Sequence, residues 1–449
     1  MAYDLAILGA TVVTSHAEQR IHVYVKDGTI AELTRERLPA HREVDAHGLY
    51  LLPGVIDGHV HFMDPGETDR EDFVHGSGAA AAGGVTTVVE HTHSRPVRTR
   101  ADLAEKARYL AERSLVDYGL AAHITPSALE RLPELWREGA AYFKAFTCTT
   151  HGIDGMTNAE LLAAFRAVAE LGGAVLLHCE DESILADAGR RLRAEGVDGG
   201  DALPLWRDRI AELVAVQTVA LLCRLTAVRA IIAHCSHAEA VDLAAAERGR
   251  GADLWIETCP QYLYLREDEV HSHGPLRKFT PPARARSTAE GEALWQRVAH
   301  GPVTHISSDH APATRAQKNR GIWDAPFGLP GVESTLPLLL EGVARGYLSL
   351  QRVVQLTSEA PARLYGFYPR KGLIRRGSDA DLVLVDLNAQ RPLTDDHIVS
   401  KAGWSPYAHI QPRGLPVYTF VRGQEVAANA RPTGEPGWGR FVPGRGSAP

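Results

Sequence analysis

Pro53-Gly54-Val55-Ile56-Asp57-Gly58-His59-Val60-His61 is apolar up to its last few residues, where a carboxylate and two imidazoles appear. On a strand, residues two apart share a face, so Asp57, His59 and His61 project to one side. The same pattern, an apolar run stopping at polar groups, recurs downstream. Strand-like runs cover 54–62, 84–93, 117–124, 141–147, 174–180, 229–236, 253–260 and 303–311. Stretches rich in Ala, Leu, Arg and Glu separate most of them, near 70–82, 99–114, 127–138, 158–171, 211–226, 237–249 and 286–299. Strand–helix units of continuous apolar strands predict a closed α/β architecture, a (β/α)8 TIM-type barrel over residues 53–365. An open doubly wound sheet is the alternative, but its Gly-rich dinucleotide fingerprint is missing. Ala79-Ala80-Ala81-Ala82-Gly83-Gly84 reads as a small-residue helix end before a strand, not as a phosphate loop.

Outside the barrel the chain reads as short strands and turns. Ile21 to Leu33 alternates on both sides of Asp27-Gly28, a hairpin signal. Leu382-Val383-Leu384-Val385 and the segments 417–421 and 422–426 continue this pattern. Residues 1–52 and 366–449 are therefore expected to pair as a small β-sandwich domain. From about Ala430 the Pro, Gly and Arg content predicts a loosely ordered tail. The 211–226 stretch reads as a barrel-packing helix.

Composition narrows the class. With 449 residues, 45% hydrophobic and 23% charged, the chain is globular. Its formal net charge of −7 favours neither nucleic acid nor an acidic membrane surface as partner. Five cysteines are too few for a disulfide scaffold, and an odd number suits a reducing, cytoplasmic compartment. No signal peptide and no membrane span are expected. The 21 histidines are the unusual count.

Many of those histidines sit at strand ends, where barrels of this kind carry their chemistry. The runs close on Asp57-Gly58-His59-Val60-His61, His178-Cys179-Glu180, His234-Cys235-Ser236-His237 and Ser307-Ser308-Asp309-His310, with Lys144 inside Tyr142-Phe143-Lys144-Ala145-Phe146. Singly, each His is ambiguous between a ligand and a hydrogen-bonded strand end, and Asp309 alone could cap a helix. Together, His59, His61, His178, His234 and Asp309 read as ligands to a divalent metal, for which imidazole and carboxylate suit zinc. They exceed what one catalytic zinc needs. Lys144 lies among bulky apolar groups that lower an ammonium pKa. A neutral amine there can take up carbon dioxide as a carbamate and bridge two metals; it can equally snorkel to the barrel mouth.

These motifs resemble the amidohydrolase superfamily, and within it the cyclic amidohydrolases: hydantoinase/dihydropyrimidinase, allantoinase and dihydroorotase. The resemblance rests on the segments 53–61, 79–87 and Phe143-Lys144-Ala145-Phe146, on the His178, Ala233-His234-Cys235-Ser236 and Cys259-Pro260-Gln261-Tyr262-Leu263 segments, on Ser308-Asp309-His310-Ala311-Pro312, and on Lys371-Gly372-Leu373-Ile374 with 377–382. It covers nearly the whole chain. It implies two divalent ions, expected to be Zn2+: one held by His59, His61 and Asp309, the other by His178 and His234, with carbamylated Lys144 as the bridge. It further implies a metal-bridging hydroxide as nucleophile, Asp309 as general base and acid, and hydrolytic opening of a C–N bond in a cyclic amide or ureide. A homodimer or homotetramer is expected.

The ring is less sharply specified. Dihydroorotases carry Arg where this chain has Met63, which argues against that substrate. The hydantoinase Tyr after the bridging Lys is absent, and His151 or a Thr of the 147–150 stretch is the candidate replacement. The 61–68 segment resembles allantoinase, whereas Pro330-Gly331-Val332-Glu333 resembles hydantoinase. Met63, His93, His151 and Thr280 are the candidate substrate contacts. Asp57, Glu180 and His237 are expected to orient ligands, and Cys179 and Cys235 to face the helices. The competing readings are a mononuclear deaminase that leaves Lys144 idle, and a non-catalytic relative of dihydropyrimidinase.

Overall fold

The computed structural model describes residues 2–447. Its centre is a run of parallel strands: β1 Val55–Val60, β2 Val85–Glu90, β3 Asp117–Leu120 continued by Ala122–His123, β4 Phe143–Phe146, β5 Ala174–His178, β6 Arg229–Ile232, β7 Leu254–Thr258 and β8 His305–Ile306. Each pairs with its sequence neighbour, and β3 changes partner midway, from β2 to β4. A parallel bridge between Val60 and His310 brings the chain after β8 back to β1. This is the (β/α)8 barrel.

Alternation along the strands builds two apolar layers. Ile56, Val89, Tyr142, Leu176 and Ile231 fill the barrel interior together with Tyr365. Val55, Val88, Phe143, Val175 and Leu177 face outward to the helices, and Cys179 and Cys235 join that outer layer. Burial on both faces is why these strands read as continuous apolar runs. Several helices start at side-chain caps, among them Asp72, Thr99, Thr157, Asp208 and Ser287, each accepting from a backbone N–H two or three residues on. The helix Glu182–Ala194 lies outside the stretches whose composition predicts helix; Asp181 caps it.

The terminal segments form a two-sheet sandwich. One sheet has the order Thr29–Thr34, His22–Lys26, Tyr3–Leu8, Ala40–Asp45. The other interleaves both termini: Arg431–Pro432, Gln424–Ala428, Arg413–Val421, Leu382–Gln390, Tyr50–Pro53, Thr11–Val13, Glu18–Arg20. Leu5, Ile7, Val23, Leu51, Leu384 and Phe420 form its core. At the first hairpin, Asp27 and Gly28 both take positive φ, 50° and 76°, as a two-residue turn of this kind requires. Lys371 joins barrel and sandwich. Its buried ammonium lies 2.6 Å from Asp117 of β3, 2.6 Å from Asp381 and 2.9 Å from Asp379.

One expectation needs correction. The tail is not loose: Tyr118 N donates to Arg440 O at 3.0 Å, Val442 N donates to Tyr118 O at 2.8 Å, and Val442 is buried. Backbone pairing to a barrel strand outweighs its Pro/Gly composition. The helix Arg209–Thr226 buries Ala215, Val216, Val219 and Ala220 as a packing helix does, yet its other face is also apolar. Ile210, Val214, Leu221 and Leu225 are exposed, Leu225 by 64%.

Candidate metal centre

The strand ends bring His59, His61, Lys144, His178, His234 and Asp309 to one cavity. His59 and His61 leave β1 on one face. Lys144 lies inside β4, in register with His123 of β3 and Leu176 of β5. His178 closes β5, whereas His234 and Asp309 lie just beyond β6 and β8. Both of the latter hold left-handed backbone, φ 39° and 49°. Such backbone costs a non-glycine residue on the order of 1 kcal/mol or more, and that strain gathers at functional positions.

The donor atoms fall into two groups. Asp309 Oδ1 lies 3.4 Å from His59 Nε2 and 3.2 Å from His61 Nε2. His178 Nδ1 lies 3.1 Å from His234 Nε2. Two ligand atoms on a tetrahedral zinc are separated by roughly 3.3 Å, so both groups have the spacing a shared cation imposes. His59, His61 and His91 also offer nitrogens within 4.8 Å of one another. The donor set therefore fits divalent metal.

The opposite edges of the rings are held. His59 Nδ1 meets Glu257 Oε1 at 2.8 Å, and His61 Nδ1 donates to His91 O at 2.7 Å. His178 Nε2 meets Glu180 Oε2 at 2.8 Å, and Glu180 in turn accepts from Arg207 at 2.5 Å and Thr280 Oγ1 at 2.6 Å. Such outer contacts fix the ring orientation and leave the other nitrogen for a metal. Asp57 accepts from His59 N and Ser308 N, which ties β1 to the end of β8. His237 lies 3.5 Å from Glu212.

Electrostatics follow from burial. Desolvation pushes His59 and His178 below the ordinary imidazole value and His234 down to about 3, so these rings are neutral at pH 7. Burial opposes ionisation of Asp309, but His59, His61 and His234 outweigh it and hold the carboxyl low. Glu257 is likewise held low by His59 and His305 against its burial. Desolvation brings the Lys144 amine down to about 8, with Asp309 and Glu257 opposing. Its Nζ lies 4.9 Å from the Phe146 ring centre. Desolvation also lifts the Asp57 carboxyl to about 7.

Among the candidate substrate contacts, His93, His151 and Thr280 line the cavity, joined by Phe146, Ala311, Phe327 and Gly328. Met63 does not. It leaves β1 with left-handed backbone, φ 58°, and its buried side chain is not part of the cavity wall. Cys148 packs with Leu185 and Ala211 instead of reaching the cavity. Sequence reasoning passed over Glu257, Arg207 and Phe327. Glu257 alone left a signal, a carboxylate inside the apolar run Leu254-Trp255-Ile256-Glu257-Thr258.

Residues 50–426 match the amidohydrolase family. An L-hydantoinase of Paenarthrobacter aurescens is 32% identical over 450 residues, covering 98% of both chains. An allantoinase of Deinococcus radiodurans is 35% identical, covering 97% of this chain and 98% of the relative. The solved L-hydantoinase (dihydropyrimidinase) from Arthrobacter aurescens superposes with a TM-score of 0.94 at 31% identity, over 98% of this chain and 100% of that one. A solved D-hydantoinase gives 0.93 at 28% identity, over 99% and 100%. With the barrel, the sandwich and the cavity all in place, the chain belongs to the amidohydrolase family.

Proposed function

We propose that this protein is a metal-dependent hydrolase that opens the C–N bond of a cyclic amide or ureide, in the manner of the hydantoinases and allantoinases it resembles. One observation carries the reading: six side chains from five barrel strands share a single cavity, with Asp309 3.4 and 3.2 Å from His59 and His61 and His178 3.1 Å from His234. His59, His61 and Asp309 would hold one divalent ion and His178 with His234 the other. Lys144, as its carbamate, would bridge them; its lowered pKa keeps part of the amine neutral and able to react with carbon dioxide. Zinc suits this set. When bound, the ions supply Lewis acidity toward the ring carbonyl and acidify the attacking water.

The chain's own groups do the rest. Asp309, ionised through the neutral range, accepts the proton of the attacking water and returns it to the leaving ring nitrogen. Glu257, Glu180 and the His91 carbonyl keep the imidazoles oriented. His93, His151 and Thr280 contact the substrate. Residues 53–365 carry this chemistry, and 1–52 with 366–449 form the accompanying sandwich.

The exposed Ile210, Val214, Leu221 and Leu225 fall on one side of their helix, which supports a homodimer or homotetramer formed through that face. No helix among the described residues is long and apolar enough to cross a membrane. The five cysteines are unpaired and buried, which suits a cytoplasmic setting.

The test is a ring-opening assay on allantoin, dihydrouracil, a 5-substituted hydantoin, dihydroorotate and a cyclic imide, after reconstitution with zinc and bicarbonate. Opening of at least one ring with about two metal ions bound per chain is expected. No activity on any ring, with no metal taken up, overturns the reading.

A further inference from the structure

His91 directly follows β2. Its N–H donates to Val60 O at 3.1 Å and its carbonyl accepts from His61 Nδ1 at 2.7 Å, so the main chain of this residue grips the end of β1. Its ring lies against the two histidines that leave β1. The ring centres of His91 and His59 are 5.0 Å apart, those of His91 and His61 4.2 Å, and those of His59 and His61 5.2 Å. A cation about 2.0–2.1 Å from an imidazole nitrogen lies roughly 3.1 Å from the ring centre, so two rings on one cation sit roughly 4.4–5.1 Å apart at angles of about 90–109°. The three rings keep close to that spacing, and one nitrogen from each lies within 4.8 Å of the others.

The His91 ring is also unsatisfied. The residue is 1% exposed, and neither Nδ1 nor Nε2 has a hydrogen-bond partner among the described residues. A neutral imidazole carries one donor and one acceptor, and leaving both unpaired inside a protein is costly. The groups around it are committed elsewhere. His59 Nδ1 meets Glu257, His61 Nδ1 donates to the His91 carbonyl, and the Tyr142 hydroxyl donates to Gly58 O at 2.9 Å. Desolvation, with His61 and Lys144 adding to it, holds the imidazole well below its ordinary value. The ring is therefore neutral at pH 7, the form in which imidazole binds a metal.

We propose that His91 is a further protein ligand of the first ion, the one assigned to His59, His61 and Asp309. The proposal rests on the metal-dependent reading above and makes the two sites unequal: three imidazoles and a carboxylate at the first, two imidazoles at the second. The nitrogen-rich first site holds the tighter ion, and it suits zinc, nickel or iron over magnesium, calcium or manganese. His91 thereby joins β2 to the metal centre, a strand that otherwise contributes no ligand.

The experiment titrates metal-free wild type, His91→Phe and His91→Leu with cobalt(II) in the presence of bicarbonate. Chelator competition reads the affinity, the visible spectrum reads the coordination, and thermal melting controls for folding. In both variants the affinity for the tighter ion should fall by about tenfold or more and its cobalt spectrum should change, while the weaker ion keeps its affinity and spectrum. A ring that only packs, or that pairs with a trapped water, leaves the spectrum of the tighter ion as in the wild type, and that result overturns the proposal. If neither variant folds, X-ray absorption of wild type loaded with one zinc ion decides: three imidazoles on the metal uphold the proposal and two overturn it. If the wild type binds two ions without regard to His91, this proposal alone falls. If it takes up no metal at all, the metal-dependent reading falls and takes the proposal with it.

Discussion

Glu257 Oε1 lies 2.8 Å from Nδ1 of His59, while Nε2 of the same ring is 3.4 Å from Asp309. A carboxylate at the end of β7 thus orients an imidazole whose other nitrogen faces the proposed cation. Replacing Glu257 with Gln keeps the shape and removes the charge. Metal affinity should fall about 10–100-fold, as for other outer contacts to metal-binding histidines. Competition with a coloured chelator measures it. Unchanged affinity would show that Glu257 serves packing alone.

Asp309→Asn should lower kcat by about two to four orders of magnitude, because the amide cannot shuttle a proton. Single-turnover kinetics on the reconstituted variant checks this, with thermal melting as the control for folding.

Lys144→Ala should bind less metal and lose ring-opening activity, and added short carboxylic acids should restore part of both. For the wild type stripped of metal, recovery with zinc should depend on bicarbonate, and intact-mass measurement should show one added carbon dioxide. Bicarbonate-independent recovery would remove Lys144 from the metal centre and favour a mononuclear site.

Burial lowers His59, His178 and His234, so the folded metal-free protein binds fewer protons than the unfolded chain once the pH drops below the ordinary imidazole value of 6.5. Stability therefore rises with pH across that window. It is fully present above the unfolded value and is lost as the pH falls toward about 3, the value for His234. Melting temperatures of the metal-free protein should drop between about pH 7 and pH 5. A flat profile would mean that the rings are not desolvated.

Lys371→Met should cost about 3–5 kcal/mol, because it leaves the buried carboxylate of Asp381 without a cation, while Asp117 keeps only Arg422. Urea unfolding of the variant measures the loss. Separately, Leu225→Glu on the exposed helix face should shift the oligomer toward monomers, as read by light scattering on a sizing column.

Most of the barrel was legible because a strand buried on both faces has to be apolar throughout, so β1, β5 and β6 stand out as runs of Val, Ile and Leu. The residues where those runs stop, His59, His61, His178, His234 and Asp309, were legible for the same reason. What the sequence hid was mutual orientation. Glu257 and Arg207 act on partners far away in the chain; a carboxylate inside an apolar run marks Glu257, and nothing local marks Arg207. Met63 occupies the position that the motif suggests, but its left-handed backbone takes the side chain out of the cavity wall. The tail misled because its composition says nothing about the free backbone of Tyr118 that it pairs with.

That pairing also bears on synthesis. Val442 and Arg440 cover β3, and the Arg413–Val421 strand stands between Leu382–Gln390 and Gln424–Ala428 in the sandwich. The third barrel strand and the sandwich are thus closed by segments made after the rest of the barrel, so completion of both depends on the same late stretch of chain.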